Sequence, residues 1–292
     1  MKNTRKAGAA SVLSSSPSFR LQRLSPKRQS IIRPTLEHPR DYVLLSMRAL
    51  ASRLKTDPAT LVRIVRGMRF SSYRQFQYYL HELSITLATS LENMQKAQAG
   101  RRAIKGLLRT CMDQDRANLD AMPRGIDPAR VAALARRIYT ARRIVVIGGD
   151  LAASLALFLE HHLMMLDLPV GSATSPATVV HRVRGLNSKD LVIAISFHRG
   201  LRMTVEGLRQ ARQNGAHCVG ITDTIVSPVQ RFADESFLTS VDTPSFGASY
   251  VAPMALLNMI VVACANHRRS RTLKILKKAE DEQRYGFRWF EG

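Results

Sequence analysis

Residues 46–80, SMRALASRLKTDPATLVRIVRGMRFSSYRQFQYYL, repeat apolar side chains with a helical period on both sides of a short break. In 47–54, Leu50 and Leu54 stand four apart, and Ala49 and Ala51 keep that helix thin enough to pack closely. Lys55-Thr56-Asp57 breaks the pattern. Thr56 or Asp57 can cap the next helix, and Pro58 suits its first position because its missing N–H would have gone unpaired. In 58–68, Leu61, Val62 and Val65 supply an inner face, while Thr60, Arg63 and Arg66 fall toward the other side. Two short helices joined by a tight turn, the second capped and then exposing arginines, have the layout of a helix-turn-helix. Arg63 and Arg66, three apart, can meet one stretch of DNA as bidentate guanine readers or phosphate clamps. A small helical hairpin with a solvated basic face has the same pattern. The candidate DNA contacts are Thr56, Ala59, Thr60, Arg63, Arg66, Arg69, Tyr73 and Arg74.

The charge favours the first alternative. The formal net charge is +22, and residues 1–110 hold 21 Lys+Arg against 5 Asp+Glu. Basic charge packed around the helix pair fits a polyanionic partner, double-stranded DNA, by counterion release at phosphates. With 292 residues the chain is long enough for two domains, each with its own core. No stretch reads as a membrane span: 151–170 is broken by Glu160, His161 and His162, and 251–265 is too short and holds Asn258. Cys111, Cys218 and Cys264 are isolated, so they form no metal-ligand pattern and no disulfide framework; buried thiols in a reducing cytoplasm fit. The first 20 residues are Ser- and Ala-rich, and no acid precedes Glu37. That composition fits a disordered basic tail and also a transit peptide.

Along the chain, Ser25-Pro26 starts a helix carrying Ile31, Ile32 and Leu36, which Pro34 should kink or shorten and His38-Pro39 closes. After the helix pair, Phe70-Ser71-Ser72-Tyr73 turns into a helix with Phe76, Tyr79, Leu80 and Leu83 on its apolar face. The domain reading is a tail at 1–20, a helix-turn-helix domain at 21–95 and a connector of mixed helix and polar linker at 96–125 that ends at Met122-Pro123-Arg124-Gly125. An α/β domain at 126–268 follows. There the period changes: a helix runs from its cap Asp127 to about Tyr139, then 143–148 reads as a buried strand. Helices are expected at 151–166, 176–184, 202–213, 227–233 and 248–266, and strands at 169–172, 190–196, 217–222 and 235–240. Alternation of this length implies a parallel sheet covered on both faces, with ligands at the carboxyl ends of the strands near the switch point. The basic stretch 268–278 extends the last helix, and 279–292 is read as a tail.

Taken together, these pieces resemble bacterial transcription regulators of the RpiR type, which join an N-terminal helix-turn-helix to a C-terminal sugar-isomerase (SIS) domain. The likeness covers roughly residues 20–265. It is carried by ALASRL, DPATLVRIVRGMRF and SSYRQF in the first half, and by RIVVIGG, DLVIAISF, ARQNGA, VGITDTIVSP and FAD in the second. The resemblance implies an all-α DNA-binding domain plus a three-layer α/β SIS domain, a homodimer or homotetramer, and a phosphorylated sugar or related metabolite as effector. With no nucleophile arrangement among its Ser, His and Asp residues and no phosphate-loop motif, neither catalysis nor a cofactor is expected, and the isolated thiols fit a cytoplasmic, nucleoid-associated protein. Family sensors hold the phosphate with serines and backbone amides after the first and third strands, which suits an anion at helix N-termini.

Where the ligand should bind, the chain departs from that pattern. The family's first loop reads approximately G-x-G-x-S; here it is Gly148, Gly149, Asp150, Leu151 and Ala152. The second is often S-x-S-G-x-T; here Ser196 is followed by Phe197, His198, Arg199, Gly200, Leu201 and Arg202. Thr222, Asp223 and Ser227 match the third. Either His198, Arg199 and Arg202 grip an acidic ligand while Asp150 holds a hydroxyl or amine, or the pocket is degenerate and the domain serves for dimerisation. Asp150 taken alone fits an N-cap for 151–166. Glu160, His161 and His162 could point to acid–base chemistry, but they lie in mid-helix, away from the strand ends. A sugar-phosphate isomerase with an appended helical domain, or a basic scaffold that coats DNA, are the competing functions.

Overall fold

The computed structural model describes residues 21, 23–43, 45–86, 94, 104–198, 200–224 and 227–285. The chain divides into two compact units, Met1–Gly100 with Thr224–Pro228, and Arg101–Asp223 with Val229–Gly292.

The first unit holds helices α1 (Pro26–Glu37), α2 (Met47–Arg53), α3 (Pro58–Gly67) and α4 (Tyr73–Thr86). They share one core in which Ile32, Leu36, Leu50, Leu61, Ile64, Met68, Phe76 and Leu80 are fully buried. Phe70 seals it, with its ring 5.4 Å from Phe76 and 5.2 Å from Tyr79. Three expectations are corrected here. The inner face of α3 is Leu61, Ile64 and Val65, not Val62, because 61, 64, 65 and 68 follow the 3.6-residue period and 62 lies off it. On α2, Ala51 is buried but Ala49 faces solvent. Pro34 does not shorten α1, which runs on to Glu37; burial of Thr35 and Leu36 outweighs the one backbone hydrogen bond that proline removes.

The second unit opens with α5 (Ile104–Gly125), a single 22-residue helix in place of mixed helix and linker. Then come α6 (Pro128–Thr140), β1 (Ile144–Gly148), α7 (Ala152–Met165), β2 (Val170–Ala173), α8 (Pro176–Arg184), β3 (Leu191–Ile195), α9 (Arg202–Gln213), β4 (His217–Thr222), β5 (Glu235–Leu238), α10 (Val251–His267) and α11 (Arg269–Tyr285). Asp127 caps α6 through a 2.8 Å bond from the Ala129 amide. Only a 3-10 turn, Pro228–Arg231, stands in place of a helix at 227–233, and β5 stops at Leu238 rather than 240. The last helix is not extended by its basic stretch. The chain bends by 99° after His267, and α11 runs through much of the stretch read as a tail.

All five strands are parallel, in the order β2-β1-β3-β4-β5. Every residue of β1 and β3 is buried, as strands covered on both faces must be. One face packs against α6, α7 and α10 through Leu134, Ile138, Leu155, Leu159, Leu256 and Ile260. The other packs against α8 and α9 through Val179, Val183, Leu208 and Ala211. Because β2 lies to one side of β1 and β3 to the other, the strand order reverses between β1 and β3, which puts the switch-point crevice at Gly148–Asp150 and Ser196–Arg202. At the opposite strand ends, the buried Asp190 carboxylate takes Nε and Nη2 of Arg142 at 3.0 and 2.7 Å, tying β1 to β3. Among the described residues no single helix is long and apolar enough to cross a membrane.

Candidate nucleic-acid interface and effector pocket

The turn before α3 is built by three local interactions. The Ser46 hydroxyl accepts from the Ala49 amide at 3.3 Å and starts α2. Lys55 takes a left-handed φ of 53°, and the Thr56 amide returns to the Ala51 carbonyl at 2.9 Å. Asp57, rather than Thr56, then caps α3: its Oδ1 accepts from the Thr60 amide at 2.7 Å. Hydrogen bonds from Thr60 hold the Asp57 carboxyl below the usual carboxylate range.

With Leu61, Ile64 and Val65 turned inward, Ala59, Arg63 and Arg66 are exposed on the opposite side, with Thr60 half-buried beside them. Arg63 lies along its own helix, Nε 3.4 Å from the Ala59 carbonyl and Nη2 3.3 Å from Thr60 Oγ1. Both contacts are long and solvent-exposed, so the guanidinium can leave them at little cost. Arg69 (φ 63°) and Arg74 are exposed, and Thr56 is half-buried in the turn. Tyr73 differs from these. Its hydroxyl donates to the Leu45 carbonyl at 2.8 Å, beside Gln77 Nε2, which donates to the same oxygen at 2.9 Å. Burial pushes the phenol up to about 12. This side chain fastens α4 to the segment before α2.

In the second unit the structure brings most of the expected pocket residues to the strand ends. A side chain on Gly148 would strike the Ala152 carbonyl at 2.5 Å. One on Gly149 would collide with the Leu201 and Met203 side chains, so the apolar start of α9 covers the first loop closely. Asp150 is exposed with a left-handed φ of 54°, a conformation that glycine takes freely and aspartate tolerates. The expected N-cap at Asp150 is corrected. Its carbonyl accepts from the Ala153 amide, whereas the residue preceding α7 is Leu151 and no side chain caps the helix. The left-handed turn takes the carboxylate out of capping geometry.

Ser196 is buried, and its Oγ accepts from the Leu201 amide at 2.9 Å. His198, also left-handed (φ 57°), donates its amide to Asp223 Oδ1 at 2.8 Å and holds its Nδ1 2.9 Å from Oδ2. The buried Thr222 hydroxyl is 3.3 Å from the same carboxylate. Asp223 therefore joins the loops after β3 and β4. Arg202 is exposed at the first turn of α9, and the Ser227 amide donates to the Thr224 carbonyl at 3.2 Å. Arg199 lies outside the described residues.

Sequence reasoning missed Tyr250. It immediately precedes α10, its ring centroid is 5.3 Å from that of Phe197, and burial together with the charges of Asp150 and Asp223 pushes its hydroxyl up. A tyrosine opening a long apolar helix, after the small-residue loop SFGAS, was the available signal. Also missed was the polar tie behind it. Asn118 of α5 is 1% exposed; its Nδ2 donates to the Asp242 carbonyl at 2.9 Å, and its Oδ1 accepts from Ser240 Oγ at 2.9 Å. Asp115, one turn earlier, accepts from Ser249 beside Tyr250. Glu160, in contrast, braces the sheet edge, since its two oxygens accept from the Ser172 amide and hydroxyl at 2.9 and 2.6 Å. Among the described residues no group of three or more His, Cys, Asp or Glu could hold a metal ion.

Residues 137–263 match the family model described as SIS domain. The chain is 26% identical over 204 residues to the HTH-type transcriptional regulator HexR of Pseudomonas aeruginosa, covering 70% of each. The sugar isomerase domain of an RpiR transcription factor from Sphaerobacter thermophilus superposes with a TM-score of 0.57 at 27% identity, over 60% of this chain and 98% of that one. The Vibrio vulnificus NanR protein, solved with ManNAc-6P, shares the fold at a TM-score of 0.56 and 18% identity, over 90% of this chain and 95% of that one. With a helical unit ahead of the SIS match, the chain is similar in arrangement to HTH-type regulators that carry a SIS domain, the RpiR type among them.

Proposed function

We propose that this protein is a sequence-specific DNA-binding transcription regulator whose SIS domain senses a sugar phosphate or another small acidic metabolite. The observation that carries this reading is α3 itself. A capped helix buries Leu61, Ile64 and Val65 and leaves Ala59, Arg63 and Arg66 exposed on the opposite face, in a chain that also holds a SIS domain. Its Pseudomonas relative is named as an HTH-type transcriptional regulator. The helix would enter the major groove with Arg63 and Arg66 at base edges and Thr56, Arg69 and Arg74 at phosphates, and a two-fold dimer would read a palindrome. In this reading the SIS domain is a sensor and not an isomerase, and the protein works in the cytoplasm on the nucleoid.

The effector pocket is assigned to Gly148, Gly149, Asp150, Ser196, His198, Arg199, Arg202, Thr222, Asp223 and Ser227. Its polarity is mixed. Asp150 disfavours a bare phosphate at the first loop, Arg202 favours an anion at the second, and Asp223 of the third takes up the His198 ring. That arrangement suits a ligand with an acidic end and a hydroxyl- or amine-bearing end. Selection of genomic fragments by the purified protein at about 150 mM salt, where weak phosphate-only binding is suppressed, tests the proposal. One enriched palindrome supports it; uniform recovery of all fragments refutes sequence-specific regulation.

A further inference from the structure

Beside α3 the first unit contains an open groove of about 710 Å³. One wall is the start of α1, with Ser25, Lys27 and Arg28, and the other is the turn and first helical residues of 55–63, with Lys55, Asp57 and Arg63. We propose that this groove seats the sugar-phosphate backbone of duplex DNA, next to the bases that α3 reads. The inference rests on the DNA-binding reading and extends it to residues outside the helix pair.

Among the described residues, four cations and a single acid line the groove. The acid is already occupied, since Asp57 turns its Oδ1 to the Thr60 amide. Lys27, Arg28 and Lys55 are exposed and form no salt bridge with any described residue. Ser25 lines the groove at the head of α1 in extended conformation and does not cap the helix through its side chain, so the amides of Lys27 and Arg28, which follow Pro26, receive no bond from it. Cations, open helix amides and a hydroxyl are the groups that hold phosphodiester oxygens, and they fix register on the duplex without reading sequence. A free small anion is the weaker occupant, because the groove is open along its length and continuous with the exposed arginine of α3.

The test is fluorescence anisotropy of a duplex of random sequence, about 30 base pairs long, titrated between about 50 and 200 mM KCl, a range over which phosphate contacts dominate. Lys27→Ala/Arg28→Ala should lower the slope of log K against log salt by about 2, at ~0.9 for each phosphate no longer neutralised. Lys55→Asn, whose asparagine keeps the left-handed turn, should lower it by about 1. The charge-retaining pair Lys27→Arg/Arg28→Lys and Lys189→Ala, in the second unit and outside the groove lining, should keep the wild-type slope. Preference for a selected fragment over random duplex should not change. A wild type that binds duplex while both neutralising variants keep its slope overturns the groove alone. A wild type that binds no duplex overturns the DNA-binding reading and the groove with it.

Discussion

Replacing Asn118 tests whether α5 is an integral part of the SIS domain or a connector. Asn118 is 1% exposed and makes three side-chain bonds: to the Asp242 carbonyl at 2.9 Å, from Ser240 Oγ at 2.9 Å and from Gln114 Nε2 at 3.1 Å. The first two cross from α5 to the loop that leads into Ser249 and Tyr250. Ser240 keeps a second acceptor in Asp242 Oδ2, so its hydroxyl is not orphaned when Asn118 is replaced. The Asp242 carbonyl does lose the Asn118 amide. Asp242 is exposed, so water can replace the amide there, and a net ~1 kcal/mol follows for each of the three lost bonds. Asn118→Ala should therefore destabilise the protein by roughly 2–4 kcal/mol. Asn118→Leu, which fills the volume without the bonds, should recover little of that loss. Urea unfolding followed by far-UV circular dichroism gives both values. Less than about 0.5 kcal/mol of destabilisation in Asn118→Ala, the range of an ordinary surface change, would refute the tie.

Three more outcomes follow from the geometry. Tyr73→Phe removes the bond to the Leu45 carbonyl and should cost about 1 kcal/mol near neutral pH. Because burial raises the Tyr73 phenol to about 12, above its unfolded value near 10, that stabilisation is complete below pH ~10 and lost as pH rises through about 12; a wild-type alkaline limb identical to that of Tyr73→Phe would contradict it. For Asp190, burial alone would raise the carboxyl, but the Arg142 guanidinium and the Asn187 amide outweigh burial and hold it below the usual range. Its contribution is present above the unfolded value near ~3.9 and fades as pH falls through the lower folded value, so Asp190→Asn should flatten the acid limb of stability measured by urea unfolding. Asp150→Gly relieves a left-handed aspartate and removes a carboxylate from the first loop, so calorimetry should show tighter binding across a panel of sugar phosphates; no gain across the panel would count against the pocket's assigned polarity.

The α/β half was legible because its strands are short apolar runs ended by glycine or serine, and because parallel order leaves few arrangements of the crossovers. Gly148 and Ser196 fell where strands end, so the crevice could be placed before any geometry was known. Burial within the helix pair was less legible. Val62 and Ile64 are both β-branched apolar residues close to the inner face, and only strict 3.6-residue phasing separates them. The misreading at 104–125, the described part of the connector, came from composition: Gly106, Pro123 and many polar residues look like a linker, and the helix is held in place by distant partners such as Ser240 and Asp242 that no local pattern reveals. The same holds for Tyr250, which reaches Phe197 at the end of β3 because α10 packs on the sheet. At Asp150, the local rule that an aspartate before a helix caps it lost to a left-handed backbone.

The most direct measurement is the affinity of wild type and Arg63→Ala for a selected palindrome and for random duplex, both at about 150 mM salt. If α3 reads bases through Arg63, the substitution lowers affinity for the palindrome by about ten- to a hundred-fold, leaves random duplex nearly unaffected, and relaxes preference at one base pair of each half-site. Equal weakening on both duplexes would reduce Arg63 to a phosphate contact and contradict base readout by α3.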